Sequence, residues 1–178
     1  TLLDGETTLF NSSQAVISQN LTFQHSINDV KAWSAESPAL YQLLITLKDS
    51  DNKVIEVLSQ KPGFRNVKIS NGVFLVNGEA VKLKGVNLHE HHEDKGHVID
   101  EETMIKDIAL MKKANMNAVR TSHYPFPERF YELADQYGLY VVDEANIESH
   151  GYGYDNDKTL GNKPQWMPHH LDRTQRMW

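Results

Sequence analysis

The amino-acid sequence predicts an antiparallel β-sandwich followed by the first βα units of a (β/α)8 TIM barrel. Up to about residue 70, short segments alternate apolar and polar side chains between turn clusters, as antiparallel strands do. After residue 84, apolar strands without alternation are interleaved with amphipathic helices, which is typical of parallel βα units. We therefore predict two domains, 1–66 and 67–178. Both ends look cut, so we expect an incomplete piece of a larger protein.

The composition narrows the classes of function. The chain has 178 residues, 39% of them hydrophobic and 24% charged, as in an ordinary globular protein. It has no apolar run long enough to span a membrane. The net charge of −6 and the lack of a basic stripe argue against nucleic acid as a partner. The absence of cysteine excludes disulfides, zinc–thiolate sites and thiol nucleophiles.

Several short strands are predicted in the first half. Residues 14–18 and 21–27 alternate in polarity, and residues 40–47 are rich in branched and aromatic side chains. The turn cluster D-S-D-N at 49–52 precedes K-V-I-E-V-L at 53–58, so a hairpin is expected there. Three aromatic residues are expected in the core of this half: Trp33, Tyr41 and Phe64.

A second hairpin is predicted at the junction of the two halves. Asn71-Gly72 and Asn77-Gly78 flank the apolar segment V-F-L-V, and V-K-L-K follows at 81–84. Asn-Gly pairs readily supply the positive φ angles of tight hairpin turns. The strands on either side are therefore expected to pair.

The second half begins with a predicted helix capped by Asp100. Two glutamates follow the cap and two lysines close the segment, which suits the helix dipole. Its apolar residues recur at helical spacing: Met104, Ile105, Ile108, Ala109 and Met111. The segment N-A-V-R-T at 117–121 is predicted as the next strand.

Pro127 is predicted to begin a second helix, which Gly138 ends. The apolar side of this helix uses Phe130, Leu133, Ala134 and Tyr137. The strand L-Y-V-V follows directly at 139–142, and residues 172–178 are also expected to be helical. Doubly wound sheets and barrels both fit this order. No glycine-rich nucleotide loop follows any strand, so a barrel is preferred, with at most three of its eight units present.

Polar residues follow each of the three predicted parallel strands. The carboxyl end of the first strand carries Asn87, His89, Glu90, His91 and His92, the second strand ends in Arg120, Ser122 and His123, and the third ends in Asp143, Glu144, Glu148 and His150. The carboxyl ends of parallel strands meet at one edge, where active sites are assembled. We therefore expect an active-site rim.

The residues alone leave individual roles open. Glu148 and His150 fall on one side of an extended stretch. A carboxylate oxygen and an imidazole nitrogen suit a hard divalent cation completed by water and another carboxylate, but two solvated side chains are the alternative. Arg120 is expected to pair with Asp143 or Glu144 rather than to bind an anion.

Other histidines carry weaker signals. His91 and His92 fit either the rim or an ordinary loop. His169 and His170 follow Pro168 and are expected in a loop, with no assigned role.

Five segments stand in a distinctive order: W-S-A-E-S-P-A-L-Y (33–41), G-F-R (63–65), F-L-V-N-G-E-A-V-K-L-K-G-V-N-L-H-E-H-H (74–92), R-T-S-H-Y-P (120–125) and V-V-D-E-A-N-I-E-S-H-G (141–151). Together they resemble glycoside hydrolase family 2, and within it the bacterial β-galactosidase branch. The resemblance runs from about residue 30 to the C-terminus with consistent spacing.

The resemblance implies an immunoglobulin-like sandwich that leads into a catalytic barrel. It also implies hydrolysis of terminal β-D-galactosides with retention of configuration, in carbohydrate metabolism. Such enzymes use two glutamates about 5 Å apart, a nucleophile and an acid/base. The resemblance places both on later barrel strands beyond Trp178. The chain is therefore expected to contain no catalytic residue, and to be inactive when isolated.

The resemblance also implies supporting roles for residues of the rim. His89 and His123 match histidines that contact sugar hydroxyls, and the first of them favours the transition state. Glu148 and His150 match two ligands of an active-site Mg²⁺ whose third protein ligand is the acid/base glutamate. Four residues match positions that hold the site in shape: Asn87, Arg120, Asp143 and Glu144. Leu88 stands where the family commonly has a basic residue, so the packing beside His89 is expected to differ.

Three alternatives stay open. The chain resembles other family 2 glycosidases too, such as β-glucuronidases and β-mannosidases. His89-x-His91 at the end of a first barrel strand imitates the metal pair of a metal-dependent amidohydrolase. A non-catalytic carbohydrate-binding piece is the third. The expected partners are a β-galactoside and the rest of the parent chain. The parent is expected to be a homo-oligomer in the bacterial cytoplasm or periplasm.

Overall fold

The computed structural model describes residues 1–177, which form two compact units, Thr1–Lys82 and the chain from Leu83 onward. The domain boundary that the sequence predicts at residue 66 stays a prediction. In the described part of the chain, no helix is both long enough and apolar enough to cross a membrane.

The first unit contains two antiparallel sheets. Strands β1 (Leu2–Asp4), β2 (Thr7–Phe10), β3 (Gln42–Lys48) and β4 (Val54–Gln60) form a four-stranded sheet in the order β2-β1-β3-β4. Strands β5 (Val67–Ser70), β6 (Val73–Val76) and β7 (Glu79–Ala80) form a three-stranded sheet in chain order. The sequence did not predict β1 and β2, which are only three and four residues long.

The hairpin predicted around residues 49–52 is confirmed. β3 and β4 pair along their length, and the Asp49 carboxylate accepts the backbone N–H groups of Asp51 and Lys53, both at 2.9 Å. Asn52 adopts φ 62°, a conformation that asparagine tolerates in turns. The junction hairpin is also confirmed, but its last strand is β7 rather than residues 81–84.

The two strands predicted at 14–18 and 21–27 are wrong. The chain between β2 and β3 contains no strand, and the side chains of Val16 and Ile17 are 66% and 88% exposed. Alternation of polarity produces a strand only where a neighbouring strand supplies hydrogen bonds and a core face. Neither is present for these residues in the described chain.

Trp33 is the centre of the first unit's core. It is 1% exposed, and its backbone N–H donates to the Phe64 carbonyl at 2.8 Å. Tyr41 is 4% exposed, and its ring packs edge-on against Phe64 at 5.1 Å. The guanidinium of Arg65 lies 4.9 Å from the Trp33 ring centroid, within the range of a cation–π contact. The core role predicted for Trp33 and Tyr41 is confirmed, and Phe64 is half-buried against them.

The second unit is built from parallel βα units, as predicted. Strands β8 (Gly85–Leu88), β9 (Ala118–Thr121) and β10 (Tyr140–Val142) form a parallel sheet in the order β10-β9-β8. Helices α1 (Glu101–Lys113) and α2 (Glu128–Tyr137) connect them. Within residues 83–177 the sheet has these three strands and does not close into a barrel.

The connecting helices end as the sequence predicts, except that α2 begins at Glu128, with Pro127 as the residue before it. The Asp100 carboxylate accepts the Thr103 N–H at 3.0 Å, which caps the first turn of α1. Lys95 and Thr103 hold the pKa of that carboxyl well below its usual range, through hydrogen bonds to it. Gly138 ends α2 with φ 78°, where a side chain would be strained.

One face of the parallel sheet packs against α1 and α2. The buried cluster between them contains Met104, Ile108, Met111, Val119, Phe126, Phe130, Leu133, Ala134 and Leu139. Gly85 is required on β8, because a Cβ there would lie 2.3 Å from the carbonyl oxygen of Ala118. This close packing fixes the position of β8 against β9.

The chain after β10 forms short 3-10 turns (His150–Tyr152, Leu160–Asn162, Pro164–Trp166) and then helix α3 (Met167–Met177). The loop expected around His169 and His170 is therefore wrong, because both lie in α3. Pro168 takes the second position of this helix. Proline fits the first turn of a helix, where its missing N–H is not needed, so Pro168 is compatible with helix α3 rather than with a loop. Trp178, the last residue of the predicted C-terminal helix, lies outside the described residues.

Candidate functional site

The register of the parallel sheet brings the predicted rim residues to one edge. Asn87 on β8 and Val142 on β10 are both register partners of Arg120 on β9. The three strands therefore end at nearly the same height in the sheet, and the side chains that follow them lie along one edge. The Ser122 N–H donates to the Leu88 carbonyl at 2.9 Å, so the pairing of the first two strands continues to the edge.

Arg120 pairs with Glu144, one of the two partners predicted for it. Its Nε lies 2.7 Å from Glu144 Oε2, and the two side chains are 38% and 22% exposed. Oε2 is buried and has no hydrogen-bond partner among the described residues, so its contact with Arg120 is an ion pair and the oxygen keeps unused acceptor capacity. Arg120 Nη1 also donates to Asn87 Oδ1 at 3.3 Å. A single guanidinium therefore links all three strands.

His123 is held against the same carboxylate. Its Nδ1 lies 3.0 Å from Glu144 Oε1, 3.2 Å from Arg120 Nη2 and 3.8 Å from Glu148 Oε2. A carboxylate is the stronger partner, because the hydrogen bond to it is charge-assisted. We therefore assign the proton to Nδ1, and Nε2 remains to accept a hydrogen bond from a ligand hydroxyl.

Asp143 does not pair with Arg120 and instead faces the helix side of the sheet. Its Oδ1 accepts hydrogen bonds from Thr121 Oγ1 at 2.8 Å and from Tyr131 Oη at 2.7 Å. The Glu144 N–H donates to Thr121 Oγ1 at 3.2 Å. Sequence reasoning missed Thr121 and Tyr131. A threonine at the end of an apolar parallel strand was the available signal for the first, and nothing in the helical pattern pointed to a polar role for Tyr131.

His89 lies exposed at the same edge. Its ring meets that of His123 edge-on, with centroids 5.2 Å apart, and lies 6.3 Å from the ring of Tyr124. Two imidazoles thus stand side by side above the ends of β8 and β9. Leu88, where a basic residue was expected, packs against the helix-facing core.

The remaining residues after β8 form a loop. The His92 Nδ1 accepts the N–H groups of Asp94 and Lys95 at 3.1 and 3.2 Å, which makes this histidine part of a tight turn. Burial raises the pKa of Glu90, and His97, 3.8 Å away, opposes that rise. His91 is exposed. The loop alternative therefore fits His92 best.

One group of three metal-ligating side chains occurs in residues 1–177. One atom each from His123, Glu144 and Glu148 lies within 4.8 Å of the others. Glu144 is already neutralised by Arg120, whose guanidinium would repel a cation at this point. Glu148 is 43% exposed, and no lysine or arginine of the described chain pairs with it. Of the three, Glu148 is therefore the residue with charge to offer an ion.

His150, the other predicted metal ligand, lies next to Glu148 but outside that group of three. Its backbone N–H donates to Glu148 Oε1 at 3.1 Å, and its exposed ring lies 5.1 Å from that of Tyr154. An unneutralised carboxylate beside an exposed imidazole fits the donor set expected for a hard divalent cation with water ligands. Their role as ligands of Mg²⁺ stays a prediction.

Two family models match the chain, each over one region. The model described as "Glycosyl hydrolases family 2, TIM barrel domain" matches residues 67–178, and "Glycosyl hydrolases family 2" matches residues 3–65.

Curated relatives include several enzymes named β-galactosidase. The Alteromonas mediterranea protein is 48% identical over 163 residues, which cover 84% of this chain and 16% of that protein. The Pectobacterium atrosepticum protein is 51% identical over 145 residues (82% and 14%). The Vibrio vulnificus protein is 44% identical over 187 residues (95% and 18%). The chain thus spans less than a fifth of the length of these relatives.

Similar solved structures include several β-glucuronidases. The Dictyoglomus thermophilum enzyme is 29% identical with a TM-score of 0.71, over 85% of this chain and 26% of that one. The Bifidobacterium dentium enzyme, complexed with coumarin-3-O-glucuronide, is 33% identical with a TM-score of 0.63, over 66% and 19%. The barrel-domain model covers more than half of the sequence, including all the residues of the rim, and on that basis the chain belongs to glycoside hydrolase family 2.

Proposed function

We propose that the chain is part of a retaining β-galactosidase that hydrolyses terminal β-D-galactosides. The observation that carries the proposal is the meeting of polar side chains from three successive parallel strands at one edge, where Arg120, His123 and Glu144 contact one another. The identity of 44–51% to enzymes named β-galactosidase supports this choice of substrate. The proposal includes an immunoglobulin-like first domain and a homo-oligomeric parent.

The imidazoles of His89, which is exposed, and His123, which is half-buried, are the proposed sugar contacts. His123 keeps Nε2 free because Nδ1 is engaged by Glu144. His89 stands edge-on beside it at the open end of β8. Imidazole nitrogens both donate and accept, so the pair suits vicinal sugar hydroxyls. We assign these residues to binding and orienting a galactosyl ring.

The nucleophile and the acid/base are proposed to lie on later strands of the parent. Glu144 and Glu148 come close enough to imitate a retaining pair, whose carboxyl groups lie about 5 Å apart. Yet Arg120 lies 2.7 Å from one oxygen of Glu144 and His123 lies 3.0 Å from the other, so the carboxylate is oriented toward its neighbours at the rim. Glu144 therefore organises the rim instead of reacting.

Glu148 and His150 are the residues we propose to hold Mg²⁺. When bound there, the ion would supply positive charge beside the acid/base glutamate of the parent. The chain's own contribution is an unneutralised carboxylate and an exposed imidazole two residues apart in the sequence. The hydrogen bond from the His150 N–H to Glu148 Oε1 orients the carboxylate toward the backbone of His150.

A β-glucuronidase is the second candidate, favoured by the solved structures. A glucuronide carries a carboxylate, which calls for a free cation in the pocket. The guanidinium at this rim is already committed to Glu144, and the neighbouring Glu148 is itself anionic. In the described part of the chain, the rim therefore suits a neutral sugar better. The amidohydrolase alternative fits less well, because His91 lies in an exposed loop outside the ligand group.

The test is a substrate panel on the full-length parent enzyme. Nitrophenyl β-galactoside should give a higher kcat/KM than the β-glucuronide and the β-mannoside, and the first product should retain the β configuration by NMR. A preference for the glucuronide would replace the galactosidase assignment. Sugar binding without hydrolysis of any glycoside would support a non-catalytic role.

A further inference from the structure

We propose that Tyr131 is a positioning residue that acts through Asp143 and Thr121 to fix Glu144 at the rim. The inference deepens the proposed function and rests on it, because the rim is taken to be the sugar site. Tyr131 lies on α2, which packs against one face of the parallel sheet, and it is not among the residues at the rim. It is not one of the residues that the family resemblance brings to the site.

The hydroxyl of Tyr131 is fixed from two sides. It accepts the backbone N–H of Phe126 at 2.8 Å and donates to Asp143 Oδ1 at 2.7 Å. The ring packs edge-on against Phe130 at 6.2 Å. Burial, and then the hydrogen bond to Asp143, raise the pKa of Tyr131 above its usual range, so the hydroxyl stays protonated and remains a donor.

Hydrogen bonds connect the Tyr131 hydroxyl to the rim through Asp143 and Thr121. Asp143 Oδ1 takes both donors, Tyr131 and Thr121, so its orientation is set by the helix and by β9 together. Thr121 is fully buried and gives its proton to Asp143, so its oxygen is left to accept the N–H of Glu144 at 3.2 Å. The backbone of Glu144 is therefore held by a buried chain of groups that begins at the Tyr131 hydroxyl.

The position of Glu144 determines the rest of the rim. Its two carboxylate oxygens meet Arg120 at 2.7 Å and His123 at 3.0 Å. A shift of its backbone would move both contacts together, and misplacement by about 1 Å can cost about 10²-fold in rate. Without the Tyr131 hydroxyl, Asp143 still accepts the hydrogen bond from Thr121. We therefore expect a partial shift of the Glu144 backbone.

The experiment compares Tyr131→Phe with Tyr137→Phe in the full-length parent. Tyr137 is on the same helix and is 37% exposed, so its substitution removes a hydroxyl without touching the chain of hydrogen bonds. We expect Tyr131→Phe to lower kcat per active site about tenfold with a smaller change in KM, and Tyr137→Phe to leave both unchanged. The double variant Tyr131→Phe/Asp143→Asn should be no slower than Asp143→Asn alone, because both act on one path.

A purely structural role predicts another pattern. It would lower the melting temperature of Tyr131→Phe while kcat per titrated active site stayed at the wild-type value, and that result overturns the proposal. The proposal is also overturned if the reductions in kcat of the two single variants multiply in Tyr131→Phe/Asp143→Asn. If the wild-type parent cleaves no glycoside, the proposed function fails. The positioning role is then decided by the crystal structure of Tyr131→Phe: a displaced Glu144 supports it, and an unchanged contact to Arg120 refutes it.

Discussion

Arg120 gives the sharpest quantitative prediction about the rim. Its guanidinium contacts a carboxylate, an amide and an imidazole, and the Arg120→Met substitution removes all three contacts while roughly keeping the side-chain length. Glu144 then remains as an uncompensated, mostly buried carboxylate beside His123. We expect it to turn away from the rim and to release His123 Nδ1.

The size of the effect follows from distance and exposure. Two unit charges about 4 Å apart attract by about 1 kcal/mol in water and about 4 kcal/mol near a protein surface. The pair is 38% and 22% exposed, between these limits. We therefore expect a loss of about 2 kcal/mol in transition-state stabilisation, or about 30-fold in kcat/KM. Arg120→Lys keeps the charge but lacks the fork that also reaches Asn87, so it should lose less.

The assay is kcat/KM for nitrophenyl β-galactoside in the full-length parent, normalised by active-site titration. Arg129→Met is the matched control, because Arg129 also contacts two carboxylates, Glu101 at 2.8 Å and Glu132 at 2.6 Å. These pairs are exposed and lie away from the rim, so kcat/KM should not change. Equal kcat/KM in Arg120→Met and Arg129→Met would refute the organising role of the Arg120–Glu144 pair.

Three further outcomes are expected. In the parent, His89→Ala should lower kcat more than it weakens substrate binding, by about 2–4 kcal/mol in the barrier; a rise in KM alone would make His89 a uniform binder. Glu148→Gln and His150→Ala should each need more Mg²⁺ for half-maximal activity, and unchanged Mg²⁺ dependence would exclude them as ligands. The isolated chain should associate, because Ile45, Ile55 and Leu58 of the β3–β4 hairpin are 51–62% exposed; a monomer at high concentration in sedimentation would contradict this.

The second unit was predictable because its signals are local. The cap at Asp100, the glycine at 138 and the apolar periodicity of both helices each depend on a few neighbouring residues. The first unit was harder, because a strand depends on a partner distant in sequence. Residues 14–18 alternate without pairing, whereas β1 is too short to show a pattern and pairs with β3 some forty residues later.

The sequence predicted which residues lie at the candidate site better than it predicted which of them contact one another. Residues at the ends of parallel strands meet whatever their identity, so the convergence of Arg120, His123 and Glu144 follows from the βα order. The choice of Glu144 over Asp143 as the partner of Arg120 depends on where each side chain points. Tyr131 and Thr121 donate hydrogen bonds to Asp143 on the helix side of the sheet. The sequence pattern does not show which way these side chains point.

The most direct test of the central claim is to locate the nucleophile. A 2-deoxy-2-fluoro-β-galactoside with a good leaving group should trap the covalent glycosyl-enzyme of a retaining enzyme. Digestion of the labelled full-length parent and mass spectrometry then identify the modified carboxylate. We predict a label on a glutamate outside residues 1–178, consistent with a chain that binds and orients the sugar. A label on Glu144 or Glu148 would contradict this account, because it would make the rim itself the bond-breaking machinery.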